Sequence, residues 1–460
     1  MAGHFEKFSS PGKGNGVRAT SHFAVSELVT CAEPFVYTTC RRTDRGASVC
    51  DHCLRRSEKL QRCSQCKFAR YCNSLCQKKA WKDHKRECLC LKNIFPNVPT
   101  DSVRLVARII FKLLEQPDCT SGEIYSIHDL QSHFKDLNVD MKQGLGHLAA
   151  TLEQYLKKEI PDSSELPPGF QTLDCFCKIR LCHKKHVNKP PSAGKTFFGQ
   201  MKLRSPCTRM MLTCNSFTIS DGEMQDVGVG LYPSMSLLNH SCDPNCVIVF
   251  EGTRLHLRTV KEIPQGEELT ISYMDVKMPS HMRQMQCQRQ YCFTCDCHRC
   301  MSKDKDEDML AGGEDASREM ERSLSTLEEL RSQGNLQEAL NLCKKMISSS
   351  QLPNKNIHQL KALDLAMDLC IQLKMWDEAL QYAMQTLEPY SLYYSNYHPV
   401  RAIQIIKVGK LQLHLGILPD AKTTFMQAFQ IMKVTHGRDH RLTQDLMELL
   451  GECEMGMEAI

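Results

Sequence analysis

Tryptophan is almost missing from this chain, at 2 of 460 residues, and aromatic residues as a group reach only 7%. No uninterrupted apolar run approaches the roughly 18 residues that a membrane-spanning helix needs, so a helical membrane protein is excluded. The opening Met1-Ala2-Gly3-His4-Phe5-Glu6-Lys7 has no basic cap leading into an apolar stretch. No secretory signal is visible, and an intracellular chain is expected. With 42% hydrophobic and 24% charged residues, the composition is otherwise that of an ordinary soluble chain. At about 150 residues per domain, the length suggests roughly three domains.

Cysteine is in excess, with 26 residues. Reducing compartments keep thiols free, so closely spaced cysteines read as metal ligands, with zinc the default metal, and not as a disulfide framework. Charge is unevenly spread. Residues 50–90 sum to +7, residues 180–213 carry eight Lys/Arg and no acid, and the remainder is −10 against a total of +5. Metal-bound thiolates cancel part of the first block and leave it at about +4, enough for only a weak attraction to nucleic acid.

Residues 1–49 contain short β-type runs such as Phe35-Val36-Tyr37-Thr38-Thr39, with a turn expected at Gly14-Asn15-Gly16. A dense Cys/His block fills 50–88, and 89–179 turns helical, with Val103, Leu105, Val106, Ile109, Ile110, Leu113 and Leu114 at helical spacing. The basic stretch 180–213 contains Pro190-Pro191, lacks sustained periodicity and reads as a disordered loop. β-rich segments return over 214–275, so one β-domain is interrupted twice. A second cysteine cluster lies in 276–302, and the charged, Gly-containing 303–316 reads as a linker.

From 317 to 460 the pattern is helical. Gly334-Asn335-Leu336-Gln337-Glu338-Ala339-Leu340 is echoed by Met375-Trp376-Asp377-Glu378-Ala379-Leu380 and by Gly416-Ile417-Leu418-Pro419-Asp420-Ala421, with Ala-to-Ala spacings of 40 and 42. A small residue inside the second helix of a hairpin permits close packing, so stacked hairpins resembling tetratricopeptide (TPR) repeats are expected, an ordinary bundle being the alternative.

In the first cysteine block, Cys50, Cys53, Cys63, Cys66, Cys72, Cys76, His84 and Cys88 make four close pairs. Eight such ligands suit two tetrahedral zinc ions with no position left for substrate, so these sites are structural. In the second cluster, Cys295-x-Cys297-x2-Cys300 supplies three thiolates and needs a fourth, for which Cys242 is the best donor.

Gly14-Asn15-Gly16, the run Ser236 to Asn245 (SLLNHSCDPN), the run Gly266 to Tyr273 (GEELTISY) and the Cys-x-Cys-x2-Cys tail follow one another in this order. Together with the Cys/His block between them and the helical hairpins behind, they resemble the SET and MYND domain-containing family of protein-lysine methyltransferases. The resemblance implies an α+β fold: a β-rich SET domain split by a zinc-binding MYND module and a helical insert, then a cysteine-rich post-SET zinc site and an all-helical TPR-like domain. It implies that Cys50, Cys53, Cys72 and Cys76 share one zinc and Cys63, Cys66, His84 and Cys88 another. It implies S-adenosyl-L-methionine as cofactor, met by Lys13, Gly14, Asn15, Tyr125, His133, Asn215, Asn239, His240, Tyr273 and Phe293. Tyr273 would stand beside the reacting amine, with Phe217 and Tyr291 lining the lysine channel.

The partners implied are histone tails and other protein substrates, with proline-containing peptides docking on the MYND block near Gln77 and Trp81. A monomer in cytoplasm and nucleus is expected. The 34 residues at 180–213 depart from the family pattern and lead into Asn215 and Phe217. Closing such a loop costs only a few kcal/mol, so its deletion is expected to leave cofactor affinity within a few-fold. The alternative is a scaffold without catalysis, using the MYND block and the helical hairpins to bind proteins.

Overall fold

The computed structural model describes residues 4–40, 48–116, 124–132, 134–137, 139–179 and 215–458. The basic 180–213 segment and His133 lie outside the described residues. The chain opens with the antiparallel hairpin β1 (Phe5–Ser10) and β2 (Gly14–Ala19), in register Ser10 opposite Gly14. The turn falls at Pro11–Lys13, three residues before the expected place, and Gly14-Asn15-Gly16 begins the second strand. Gly12 and Gly14 carry φ of +72° and +82°, so the bend uses the conformations glycine alone adopts without strain.

β3 (Leu28–Ala32) and β4 (Val36–Thr39) follow. The Cys/His block has little regular structure: two-residue ladders join β5 (Ser48–Val49) to β6 (Arg56–Ser57) and β7 (Gln61–Arg62) to β8 (Arg70–Tyr71). Helix α1 (Ser74–Ile94) starts where the Asn73 side chain accepts from the Cys76 amide. The helical insert contains α2 (Asp101–Glu115), buried along almost its whole length, α3 (Val139–Leu156) and α4 (Thr172–Ile179).

The β-domain resumes with β9 (Ser216–Ser220), β10 (Asp226–Leu231), β11 (Asn239–His240), β12 (Cys246–Glu251), β13 (Arg254–Thr259) and β14 (Thr270–Ile271). β4 pairs with β10, and β3 with β13, so strands on either side of the two insertions complete one another's sheets. Strand β13 buries Leu255, Leu257 and Thr259 in strict alternation. β11 and β14 lie parallel, Asn239 opposite Thr270 and His240 opposite Ile271, which brings two distant runs side by side.

Beyond α5 (Ser280–Gln286) and a π-helical turn over Cys287–Tyr291 lie the short helices α6 (His298–Met301) and α7 (Asp306–Met309). The stretch 303–316 is therefore no plain linker. Met309 is fully buried among Cys242, Val276 and Tyr393, and Asp306 accepts from the Ser280 amide at 2.8 Å. Its charge reads as solvent-facing in sequence, but here carboxylates cap a neighbouring helix and one methionine anchors the segment.

The helical region comprises α8 (Glu314–Ser332), α9 (Leu336–Ser349), α10 (Ile357–Gln372), α11 (Trp376–Tyr393), α12 (Pro399–His414), α13 (Leu418–Thr435) and α14 (Arg441–Glu458). Ala339, Ala379 and Ala421 occupy the fourth position of α9, α11 and α13 and are fully buried. Five residues before each stands a left-handed residue: Gly334, Lys374 and Gly416, at φ of +82°, +60° and +74°. The repeat thus survives a lysine at the glycine position, which hid its regularity in the sequence.

The helical region returns to the β-domain at a histidine cluster. His256 on β13 lies 3.4 Å from Cys31 Sγ, with Glu251, Arg254 and Arg258 nearby, and its ring meets His440 edge-on at 6.3 Å. His440 faces His436 at 4.9 Å and approaches the Phe250 carbonyl at 3.4 Å, while Arg258 presses on Gly437 and Asp439 and Asp445 lie close by. Burial pulls all three histidines below their ordinary value, His436 to about 3. The folded chain therefore takes up these protons less readily than the unfolded one. The contribution is complete above the unfolded value of about 6.5 and is lost progressively as pH falls from there toward the folded value, about 3 for His436. The melting temperature is expected to drop as pH falls below about 6.5 toward about 3, and less steeply in His436→Gln. An identical slope in that variant would remove the cluster as the cause.

Candidate active site

Twelve ligand-type side chains gather into three groups: Cys50, Cys53, Cys72 and Cys76; Cys63, Cys66, His84 and Cys88; and Cys242, Cys295, Cys297 and Cys300. Within each group the donor atoms all lie within 4.8 Å of one another. The separations of 3.6 Å for Cys53–Cys72, 3.8 Å for Cys63–Cys88 and 3.5 Å for Cys242–Cys300 are too long for disulfides. They match the edge of about 3.8 Å that sulfurs about 2.3 Å from a tetrahedral zinc would make. Three zinc ions fit these donors, and Cys242 does supply the fourth thiolate of the last group.

The second group has further support around it. His84 turns Nε2 to Cys66 at 3.6 Å, and its Nδ1 lies 3.9 Å from Glu87 Oε2, beyond hydrogen-bond distance. Glu87 is itself fully buried between Arg104 and Arg108. Burial would raise its carboxyl, but the two guanidinium groups hold it well below the ordinary carboxylate range. The cysteine block is thereby bolted to α2. No sequence spacing pointed to this network, because a charged residue inside a helix reads as solvent-exposed.

Around β11 and β14 the remaining residues converge. The Tyr273 amide donates to His240 Nδ1 at 3.0 Å, and His240 Nε2 lies 3.3 Å from Cys242 Sγ. The imidazole thus bridges the strand end at Tyr273 to the third metal group. Burial lowers His240 to about 4, so the ring is neutral at pH 7. Tyr273 and Phe293 flank it, and Tyr291 packs on both, with ring centroids 4.8 Å apart for Tyr273–Tyr291 and 6.4 Å for Tyr273–Phe293. The Tyr273 hydroxyl donates to the Leu238 carbonyl, and the Tyr291 hydroxyl donates to the Tyr273 carbonyl at 3.2 Å.

On one side of Tyr273 opens a cleft of about 570 Å³, lined by Phe217, Leu238, Tyr291, Asp275 and, from the helical region, His398 and Pro399. Toward the β1–β2 hairpin, Asn239 Nδ2 donates to the Asn15 carbonyl at 3.2 Å and to Glu268 Oε1 at 2.7 Å. Gly16 closes that junction: a Cβ there would stand 2.6 Å from Glu268 Oε1 and 3.0 Å from Asn239 Nδ2. At Gly14 the reverse holds, since no atom lies within 4 Å of where a Cβ would be. Lys13 reaches Asp296 at 3.3 Å across the neighbouring loop. Tyr125 donates to the Asp129 carbonyl, and Asn215 donates to the Gln131 and Lys178 carbonyls at 3.0 and 2.9 Å.

The SET-domain family model matches residues 14–274, more than half of the chain. The chain is 48% identical to histone-lysine N-methyltransferase SMYD3 of Mus musculus over 456 residues, covering 99% of this chain and 98% of the relative. It is 47% identical to the Homo sapiens protein of the same name over the same shares. The chain belongs to the SET and MYND domain-containing family. Within that family it is also 31% identical to N-lysine methyltransferase SMYD2 of Gallus gallus, over 97% of each chain.

The family's methyl donor, S-adenosylmethionine, has a polar end and a purine, and this chain offers both kinds of partner. The open backbone at Gly14, the Lys13 ammonium, paired with Asp296, and the Asn15 and Asn239 groups would make a niche for it near Tyr273 and Phe293. The residues present fit the group. One expectation changes: the His240 side chain is committed to Tyr273 and Cys242, so what it offers the niche is backbone and packing.

Proposed function

We propose that this chain transfers a methyl group from S-adenosylmethionine to lysine side chains of proteins, histones among them. The observation that carries the reading is the position of Tyr273, between the niche at Gly14, Asn15 and Asn239 and the aromatic cleft of Phe217 and Tyr291.

The cofactor, when bound, supplies a methyl on a positively charged sulfur. An acceptor lysine arrives as an ammonium, with an ordinary pKa near 10.4, and must lose a proton before it can attack. Phe217, Tyr291 and the Tyr273 ring strip water from it, which disfavours the charged form. Tyr273 has its own proton committed to Leu238, so its oxygen is an acceptor and can hold the amine by an N–H. The His240 bridge fixes the backbone that carries this tyrosine. Catalysis by these residues is then mostly orientation and dehydration.

A labelled-methyl assay with core histones tests the reading. The wild-type chain should transfer label, and Tyr273→Phe should reduce kcat about 100-fold, the scale expected when a reacting group is misplaced by about 1 Å. Equal labelling by both would remove Tyr273 from its role. Absence of label on any protein acceptor would favour the scaffold reading.

For partners, Trp81 lies 45% exposed on α1 and presents an aromatic face suited to proline-containing peptides. The reduced compartments of cytoplasm and nucleus suit a chain that depends on many free thiolates. No helix is long and apolar enough to cross a membrane among the described residues.

A further inference from the structure

The acceptor cleft has a wall beyond the reach of the SET-family match, which ends at 274. Asp275, Met278, His398 and Pro399 line it together with Tyr273 and Met274. The segment 274–278 follows Tyr273 directly, and the helical region holds it from behind. Tyr394, just past α11, donates its hydroxyl to Asp275 Oδ1 at 2.7 Å and stacks on His398 at 4.4 Å. Two residues on, Lys277 Nζ donates to Asp364 Oδ2 at 3.1 Å and to the Tyr390 hydroxyl at 3.2 Å, lying 4.5 Å from that ring's centre. The Tyr390 hydroxyl in turn donates to Asp364 Oδ2 at 3.0 Å, so α10 and α11 meet in one carboxylate.

Dehydration would discharge Lys277, but Asp364 and Tyr390 raise it above the ordinary lysine range, and the ion pair forms in a partly shielded place, its side chains 16% and 23% exposed. Such a pair is poor value as stabilisation, because dehydrating both charges offsets most of their attraction, and an apolar pair of the same shape often does as well. What it does supply is direction: one Nζ position meets Asp364 Oδ2, the Tyr390 hydroxyl and that ring's face together. We propose that Lys277, Asp364 and Tyr390 are positioning residues for methyl transfer, holding the segment after Tyr273 so that the helical region sets the geometry of the acceptor cleft. This rests on the methyl-transfer reading.

The test uses the full chain, core histones as acceptor, S-adenosylhomocysteine titration as the cofactor-site readout, melting temperature, and hydrogen exchange over 274–278. Lys277→Met leaves the half-buried Asp364 without its cation, the Tyr390 hydroxyl alone remaining. It should lower both melting temperature and kcat, the latter about ten-fold, with S-adenosylhomocysteine affinity within about two-fold of wild type. Lys277→Met/Asp364→Leu removes both charges and should regain melting temperature while kcat stays about ten-fold down. Recovery of kcat along with melting temperature would make the pair structural only and overturn the proposal. A parallel loss of S-adenosylhomocysteine affinity would overturn it too. If the wild-type chain transfers no methyl, the underlying reading fails. The network is then judged by exchange alone: faster exchange at 274–278 in the double variant supports it, and unchanged exchange overturns it.

Discussion

Glu87→Ala is expected to destabilise the chain by about 3–5 kcal/mol, read as a fall in the urea midpoint. Glu87 receives Arg104 Nε at 2.7 Å and Nη2 at 3.2 Å, and Arg108 Nε at 2.9 Å and Nη2 at 2.6 Å. Arg104 is completely buried and Arg108 is 7% exposed, so neither guanidinium can recover its hydration when the carboxylate is removed. Asp51 stands 3.5 Å from Arg104 and is too distant to replace both contacts. The loss should reach the neighbouring metal group, since Glu87 packs close to His84 and lies beside Cys88 in sequence. Zinc content should fall in the same variant. A change below about 1 kcal/mol would mean that these charges are solvated in the folded chain.

Removing the metal should have the larger effect. Structural zinc sites contribute roughly 10–16 kcal/mol of apparent binding free energy at neutral pH, which in small modules is folding free energy. A strong chelator is expected to extract three zinc ions per chain and to unfold the cysteine block, whose two-residue strands cannot hold it together alone. The third group has a more specific consequence. Cys242 touches His240, and His240 holds the Tyr273 amide. Cys295→Ser should therefore lower the zinc count from three to two and abolish both methyl transfer and S-adenosylhomocysteine binding. Retention of three ions in that variant would break the assignment, and so would loss of the ion with binding intact.

Ligand spacing was legible because each zinc group draws on pairs two or three residues apart, and the hairpins were legible because a buried alanine recurs at the same turn of each helix. The turn expected at Gly14 lies three residues earlier, since either glycine near it can take a positive φ and only pairing with β1 decides which residues bend. The buried charges Glu87 and Arg104, and the partly buried pair Asp364 and Lys277, could not be foreseen. Their types signal solvent, and burial was forced by partners 17 to 87 residues away.

The sequence by itself determined the metal groups' membership in close pairs, the helical repeats and the order of the motifs, because these depend on residues within one or two turns of chain. The tertiary structure decided that positions 217, 273 and 291 line one cleft, that Asn15 and Asn239 meet on the hairpin side of Tyr273, and that the helical region supplies part of the cleft wall. A cavity is made by long-range packing, and the free energy of bringing distant segments together is not written in any local pattern.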